Sequence, residues 1–343
     1  MGVPHSAFEC SRRDALRALT LLPLATAACA RAPYRREDFR VAPVSDVAIL
    51  RASDYRADLA DIVGRGLREL GVVVQGRRVL LKPNLVEYEP GTAINTNPAL
   101  VAGAAVALLR AGAASVTVGE GPGHRRDTEY LLTATGLYDV LRDERLRFVD
   151  LNHDDVRVTP LRSHHAGMVS LALPASVLDA DLVVSMPKLK THHWAGMTAS
   201  MKNLFGVVPG AVYGWPKNVL HVHGIGASIL DLAATVRPGL AIVDAIVGME
   251  GDGPIMGQPR AMGCVVMGTD PVAVDATCAR LIGIEPFRVQ YLVEAAQFLG
   301  NVSARRIRQR GEDPGRLVTP FVLLDRWAGL REPLPFWRRW TAT

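Results

Sequence analysis

At 343 residues, with 49% apolar and 21% charged positions, the chain has the composition of one large or two intimate folded domains, not of a disordered one. The net charge of +5 comes from scattered basic residues and aromatics make up only 6%. That excludes the basic stripe with stacking rings that nucleic-acid binding needs, and favours a locally positive pocket for a small acidic molecule. Cys10, Cys29, Cys264 and Cys278 form no Cys-x-x-Cys pair, so this chain alone cannot ligate an iron–sulfur cluster or a four-cysteine zinc.

Near the N-terminus the chain reads Ser11-Arg12-Arg13-Asp14-Ala15-Leu16-Arg17, followed by a largely apolar run over residues 18–30. This resembles a twin-arginine export signal, with Ala15 where Phe is usual and Arg17 where Lys is usual. The apolar run is too short to span a bilayer. Residues 1–30 are therefore expected to engage the twin-arginine export machinery. That machinery would carry the folded protein to the periplasm or the outer face of the cytoplasmic membrane. Cleavage could follow Ala27 or Ala30, and Ala27-Ala28-Cys29 also resembles a lipoprotein box, which leaves lipid anchoring at Cys29 open. Residues 31–44 read as a linker.

From residue 45 to 325, short β-rich runs alternate with helical patterns. The pattern predicts an α/β fold: a mostly parallel sheet with crossover helices on both faces. Strands are expected at 47–50, 78–81, 115–118, 182–185, 240–243 and 265–267. Helices are expected at 59–70, 98–109, 128–141 with a break at Gly136, 199–205, 225–236 and 271–282, the last with Pro271 in its first turn and Asp270 as cap. Cys264 and Cys278 fall on a strand and a helix and read as two separate buried thiols, with a disulfide between them the alternative in an oxidising compartment. Residues 326–343 read as a C-terminal arm.

In such sheets ligands bind beyond the carboxyl ends of the strands, and polar residues gather after several of the predicted ones. Lys82-Pro83-Asn84 follows the second; its plainer reading is a stiff turn with a solvated Lys. Gly121, Gly123, His124 and Arg125 follow the third, where glycines before a helix suit an anion, although a Gly-Pro turn looks the same. Lys188, Lys190, His192 and His193 crowd into a predicted loop after residue 185, where they meet ligands or form an exposed basic loop. Lys202-Asn203 lies on an apolar helix, where Lys202 is either desolvated and nucleophilic or snorkelling. His221 and His223, with Glu250 and Asp252, are candidate metal groups; at i, i+2 the imidazoles share a face in a strand and diverge in a helix.

Lys82-Pro83-Asn84, Lys188-Leu189-Lys190-Thr191-His192, Lys202-Asn203-Leu204-Phe205-Gly206, Glu250-Gly251-Asp252-Gly253-Pro254 and Asp270-Pro271-Val272-Ala273-Val274-Asp275 together resemble domain-of-unknown-function family 362 over nearly the whole mature chain. The resemblance implies a single α/β module and no settled reaction. A fainter resemblance, carried by Gly123-His124-Arg125, Asn152-His153-Asp154 and the order of His192, Lys202 and His221 or His223, is to the N-terminal region of nickel-pincer lactate racemases. It implies a metal-bearing nucleotide on Lys202.

The leading expectation is an exported enzyme of unassigned reaction, with His124 and His192 as proton-transfer groups. Lys82, Lys188, Lys190 and Arg125 hold a small acidic substrate or cofactor, with Asn84, Gly121, Gly123 and Asn203 beside them, and Lys202 is an electrostatic or covalent anchor. The alternatives are a 2-hydroxyacid racemase or epimerase, a non-catalytic ligand-binding protein of the cell envelope, or a redox-partner protein borrowing another chain's cluster.

Overall fold

Strand-forming runs that are apolar along their whole length belong in a sheet covered on both faces, and among the described residues ten strands join one such sheet. The computed structural model describes residues 32–123 and 127–333. The leader with Cys10 and Cys29, the His124-Arg125-Arg126 run and residues 334–343 lie outside the described residues.

In chain order, β1 (Ser45–Arg51) leads to α1 (Leu59–Glu69), β2 (Arg78–Pro83) to α2 (Pro98–Arg110), and β3 (Ser115–Glu120) to α3 (Thr128–Ala134) and α4 (Leu137–Asp143). After β4 (Arg147–Asp150), a separate hairpin of β5 (Val156–Pro160) and β6 (Ser170–Pro174) precedes the one-turn α5 (Ala175–Leu178). Next come β7 (Leu182–Met186), β8 (Lys188–His192) and β9 (Gly196–Thr198). The short helices α6 (Ser200–Asn203), α7 (Gly210–Tyr213) and α8 (Asn218–Val222) lead into α9 (Ile225–Val236). A long hairpin of β10 (Leu240–Glu250) and β11 (Gln258–Gly268), then α10 (Pro271–Leu281), α11 (Gln290–Ala295) and β12 (Ile307–Gly311), complete the set.

The sheet order is β12-β1-β11-β10-β7-β2-β3-β4, with β8 on β10 and β9 on β8. Along that main order every neighbouring pair is parallel except those made by β11, which runs against β1 and β10. The mostly parallel sheet expected from the alternation is therefore what forms.

Successive strand residues point to opposite faces. Val79, Leu81, Val116, Val118, Leu182 and Val184 pack under α1–α4. Leu80, Val183, Val243 and Val266 pack under α6, α9, α10 and α11. Burying each such side chain stabilises the fold by about 1.5–3 kcal/mol. Local chemistry sets the helix ends: Asp58, Asn97 and Asp270 cap α1, α2 and α10, as expected for Asp270. Gly136, at φ 77°, splits the expected helix over 128–141 into α3 and α4.

Two expectations change. Residues after 185, expected as a loop, form β8, because the eleven-residue β10 runs on past β7 and offers an edge where Lys188 pairs with Asp244 and Lys190 with Met249. The described part of the expected linker docks on the helical face: Tyr34 bridges Ser163 and stacks on Phe298 at 4.0 Å, and Phe39 is buried. In the C-terminal arm, Asp325–Arg331 forms a 3-10 turn in which Leu330 is buried and Trp327 Nε1 donates to His193 O at 3.0 Å.

Candidate functional site

Because β2, β3, β7, β8 and β10 run the same way, their carboxyl ends lie at one edge of the sheet. A cavity of about 320 Å³ opens there. Lys82 and Asn84 reach it from the end of β2, Glu120, Gly121 and Gly123 from β3, and Lys190 and His192 from β8. Lys202 and Asn203 of α6, His221 of α8, and Asp252 after β10 also line it. Lys188, His223 and Glu250 do not, and His124 and Arg125 lie outside the described residues.

The lysines separate by whether a carboxylate meets them. Lys82, fully buried, donates to Glu120 Oε2 at 2.6 Å, Pro83 O at 3.1 Å and Asn203 Oδ1 at 3.2 Å. Lys188, expected to hold an anion, is instead neutralised inside the protein: it donates to Asp244 Oδ2 at 2.6 Å, Tyr55 OH at 2.7 Å and Val247 O at 3.0 Å. Its ammonium is spent on holding β8 to β10, which corrects that expectation. Lys190 is also fully buried, yet its recorded acceptors are the backbone oxygens of Ile94 at 2.6 Å and Pro254 at 3.2 Å. Burial, then the charges of Lys188 and Lys202, hold Lys190 well below the usual lysine range.

Lys202 has no hydrogen-bond acceptor among the described residues; its Nζ sits 3.7 Å from the centre of the Phe205 ring. Burial, with the Lys82 charge adding to it, lowers its pKa to about 7. Sequence reasoning missed Lys217, which is buried and donates to Asn152 Oδ1 at 2.6 Å and to Val208 O; burial lowers it to about 7 as well. It follows a Trp-Pro pair in a loop, and nothing in its neighbours marks it. Asn152, part of the motif in the fainter resemblance, also accepts from Gly210 N at 2.8 Å and donates to Pro122 O at 3.1 Å. It thereby fastens the glycine loop to α7. The expected anion seat on that loop is partly taken, since the Gly121 N–H donates to Glu120 Oε1 at 2.9 Å.

Two imidazoles on the cavity have opposite tautomers. His192 Nδ1 accepts from the backbone N–H groups of Trp194 at 3.0 Å and Ala195 at 3.2 Å. Its proton in the neutral form is therefore on Nε2. Burial, then Lys202, His193, Lys190 and His221, keep it well below the ordinary histidine value. His221 Nδ1 lies 3.2 Å from Lys217 O, an acceptor only, so Nδ1 carries the proton and Nε2 keeps a free lone pair. Burial is the main cause that lowers His221 too. His192 thus presents a donor and His221 a lone pair. Rings continue from one to the other: His192 to His193 at 4.9 Å, His193 to Trp194 at 4.5 Å, Trp194 to His221 at 5.4 Å.

The four expected metal groups do not converge. His221 and His223 diverge at the end of α8, as i, i+2 residues on a helix must, and His223 Nδ1 meets Ala166 O at 2.9 Å. Glu250 accepts from Val322 N at 2.9 Å, while Asp252 lies 3.4 Å from His193 Nδ1. Among the described residues no group of three His, Cys, Asp or Glu is placed to hold a metal ion.

Four buried side-chain oxygens lack a hydrogen-bond partner among the described residues, and two of them, Asn84 Oδ1 and Thr198 Oγ1, belong to residues lining this cavity. Such orphans cost about 1–3 kcal/mol each unless something binds them.

The family model described as "Domain of unknown function (DUF362)" matches residues 79–280. A curated relative, a thylakoid-associated protein of Synechocystis sp., is 29% identical over 297 residues, covering 83% of this chain and 87% of its own. Among solved structures, the lactate racemase apoprotein of Thermoanaerobacterium thermosaccharolyticum aligns with a TM-score of 0.44 and 15% identity, over 73% of this chain and 61% of that one. A Thermotoga maritima structural-genomics target aligns with a TM-score of 0.35 and 11% identity, over 64% and 58%. The chain thus spans about three-fifths of the length of these solved neighbours.

Proposed function

This chain belongs to the DUF362 family, and from that premise we propose that it is an enzyme that holds a small acidic molecule in the cavity and moves a proton on it. The observation that carries the reading is the pairing of orphaned polar atoms with uncompensated amines. Asn84 Oδ1 and Thr198 Oγ1 lack partners among the described residues, and no carboxylate answers Lys190 or Lys202 there. A ligand carboxylate answers both amines, and Thr198 donates to it.

His192 Nε2–H then donates to a ligand oxygen where negative charge develops, and His221 Nε2 accepts the proton. The metal-bearing nucleotide implied by the fainter resemblance needs an amine and metal donors. Lys202 suits the first requirement, the described residues do not supply the second, and no step is assigned to it. The leader supports export by the twin-arginine route. In that case Arg12→Lys with Arg13→Lys leaves the protein in the cytoplasmic fraction, and unchanged export removes that part of the reading.

The catalytic test is solvent deuterium uptake by lactate, malate and pyruvate, followed by NMR with the purified chain. We expect uptake into one of them and a loss of about 100-fold or more in His221→Ala, with circular dichroism unchanged. Uptake that survives His221→Ala, or no binding of any of the three acids, overturns the proposal.

A further inference from the structure

Each amine on the cavity except one has an oxygen to hold it. Lys82 has Glu120, Lys190 has two backbone carbonyls and Lys217 has Asn152. Lys202 has no acceptor among the described residues, and its Nζ rests on the face of Phe205. The ring face favours the ammonium, but burial away from any acceptor oxygen opposes it more, and a neutral amine is a nucleophile. Its pKa of about 7 leaves a large neutral fraction near neutrality.

The groups that an amine needs to attack a carbonyl stand around it. His221, with Nε2 free, lies edge-on to the same Phe205 ring, 6.0 Å between centres. Lys190 supplies a buried amine that takes up a proton when a carboxylate pairs with it, and His192 supplies an N–H for an oxygen. We infer that Lys202 forms an imine with the carbonyl carbon of a small 2-oxo acid bound in this cavity. The inference rests on the acidic-ligand reading above and names its substrate class.

The step takes up one proton from water. The Nζ lone pair forms the C–N bond while the carbonyl π pair moves onto oxygen, held there by the His192 Nε2–H hydrogen bond. His221 carries one proton from nitrogen to that oxygen and a second, drawn from solvent, to the resulting hydroxyl, which leaves as water as the C=N bond forms. The product is a protonated imine whose charge faces the substrate carboxylate.

The test incubates the full chain with pyruvate and sodium cyanoborohydride, then maps peptides by mass spectrometry. We expect the Lys202 peptide to gain pyruvate plus two hydrogens less one water, and Lys202→Arg, with an unchanged melting curve, to gain nothing there. Binding of pyruvate is followed in parallel by ligand-observed NMR. An adduct confined to other lysines, or pyruvate that binds without any adduct, overturns the imine and leaves the acidic-ligand reading standing. If pyruvate does not bind while lactate or malate does, the 2-oxo acid class falls alone; if none binds, both fall.

Discussion

Lys82 and Lys190 are both fully buried, yet they differ in what their removal should do. Lys82 is one half of an ion pair with Glu120 at 2.6 Å. Lys82→Met leaves that carboxylate buried alone and should cost about 3–5 kcal/mol. Adding Glu120→Gln should recover much of the loss, which urea unfolding of the single and double variants measures. Lys190 has no carboxylate to orphan, only two backbone oxygens that lose a donor, so Lys190→Met should cost less stability than Lys82→Met while weakening acid binding about tenfold or more. The pH dependence has a definite sign. Burial depresses Lys202 from 10.5 when unfolded to about 7 when folded, so between those values the unfolded state holds more protons. Its contribution to stability is present near pH 10.5 and is lost as pH falls toward 7. A bound carboxylate favours the ammonium, so acid binding at pH 8 should take up protons and weaken as pH rises. Calorimetry in buffers of different ionisation enthalpy checks the proton uptake, and zero uptake contradicts it.

At the scale of elements, a four-residue helix carries Lys202 and Asn203, too short to persist without outside support. Asp275 of α10 supplies it, accepting from Ser200 N at 2.7 Å, Met201 N at 3.2 Å and the Ser200 hydroxyl. Asp275→Ala leaves those buried donors unmet, at about 1–3 kcal/mol each, and should abolish any Lys202-dependent chemistry before it unfolds the protein. Trapping yield set against the melting curve separates the two effects. Gly206, in the 3-10 turn Leu204–Val207, faces the Lys82–Glu120 pair so closely that a Cβ would collide with Glu120 Oε1 and Lys82 Nζ. Gly206→Ala should cost at least about 1–3 kcal/mol from overpacking, read from the denaturant midpoint. The turn from β7 into β8 belongs to the same scale. Residues that look like an exposed basic loop become a buried strand because β10 runs on beside them.

Over the whole molecule, two apolar layers close on the sheet, and both described cysteines are free and buried. Burial raises Cys264 to about 12 and Cys278 well above its ordinary value. Neither should react with a thiol reagent until the chain unfolds, and labelling followed across a urea titration tests this; early labelling would mean that the layer opens locally. The strand runs, the cap at Asp270 and the break at Gly136 were legible in the sequence, because each depends on side chains a few positions apart. So was the cluster at the strand ends: a parallel sheet brings residues from Lys82 to His221 to one rim. Which lysines remain without a counter-charge was not legible. Lys188 and Lys190 look alike in sequence and sit on one strand, but Lys188 meets Asp244, 56 positions away, and Lys190 meets backbone oxygens. Lys82 meets Glu120 across 38 positions. Residue order by itself determined where the polar groups gather; the tertiary structure decided which of them keep an unspent charge, because that depends on partners no local pattern encodes.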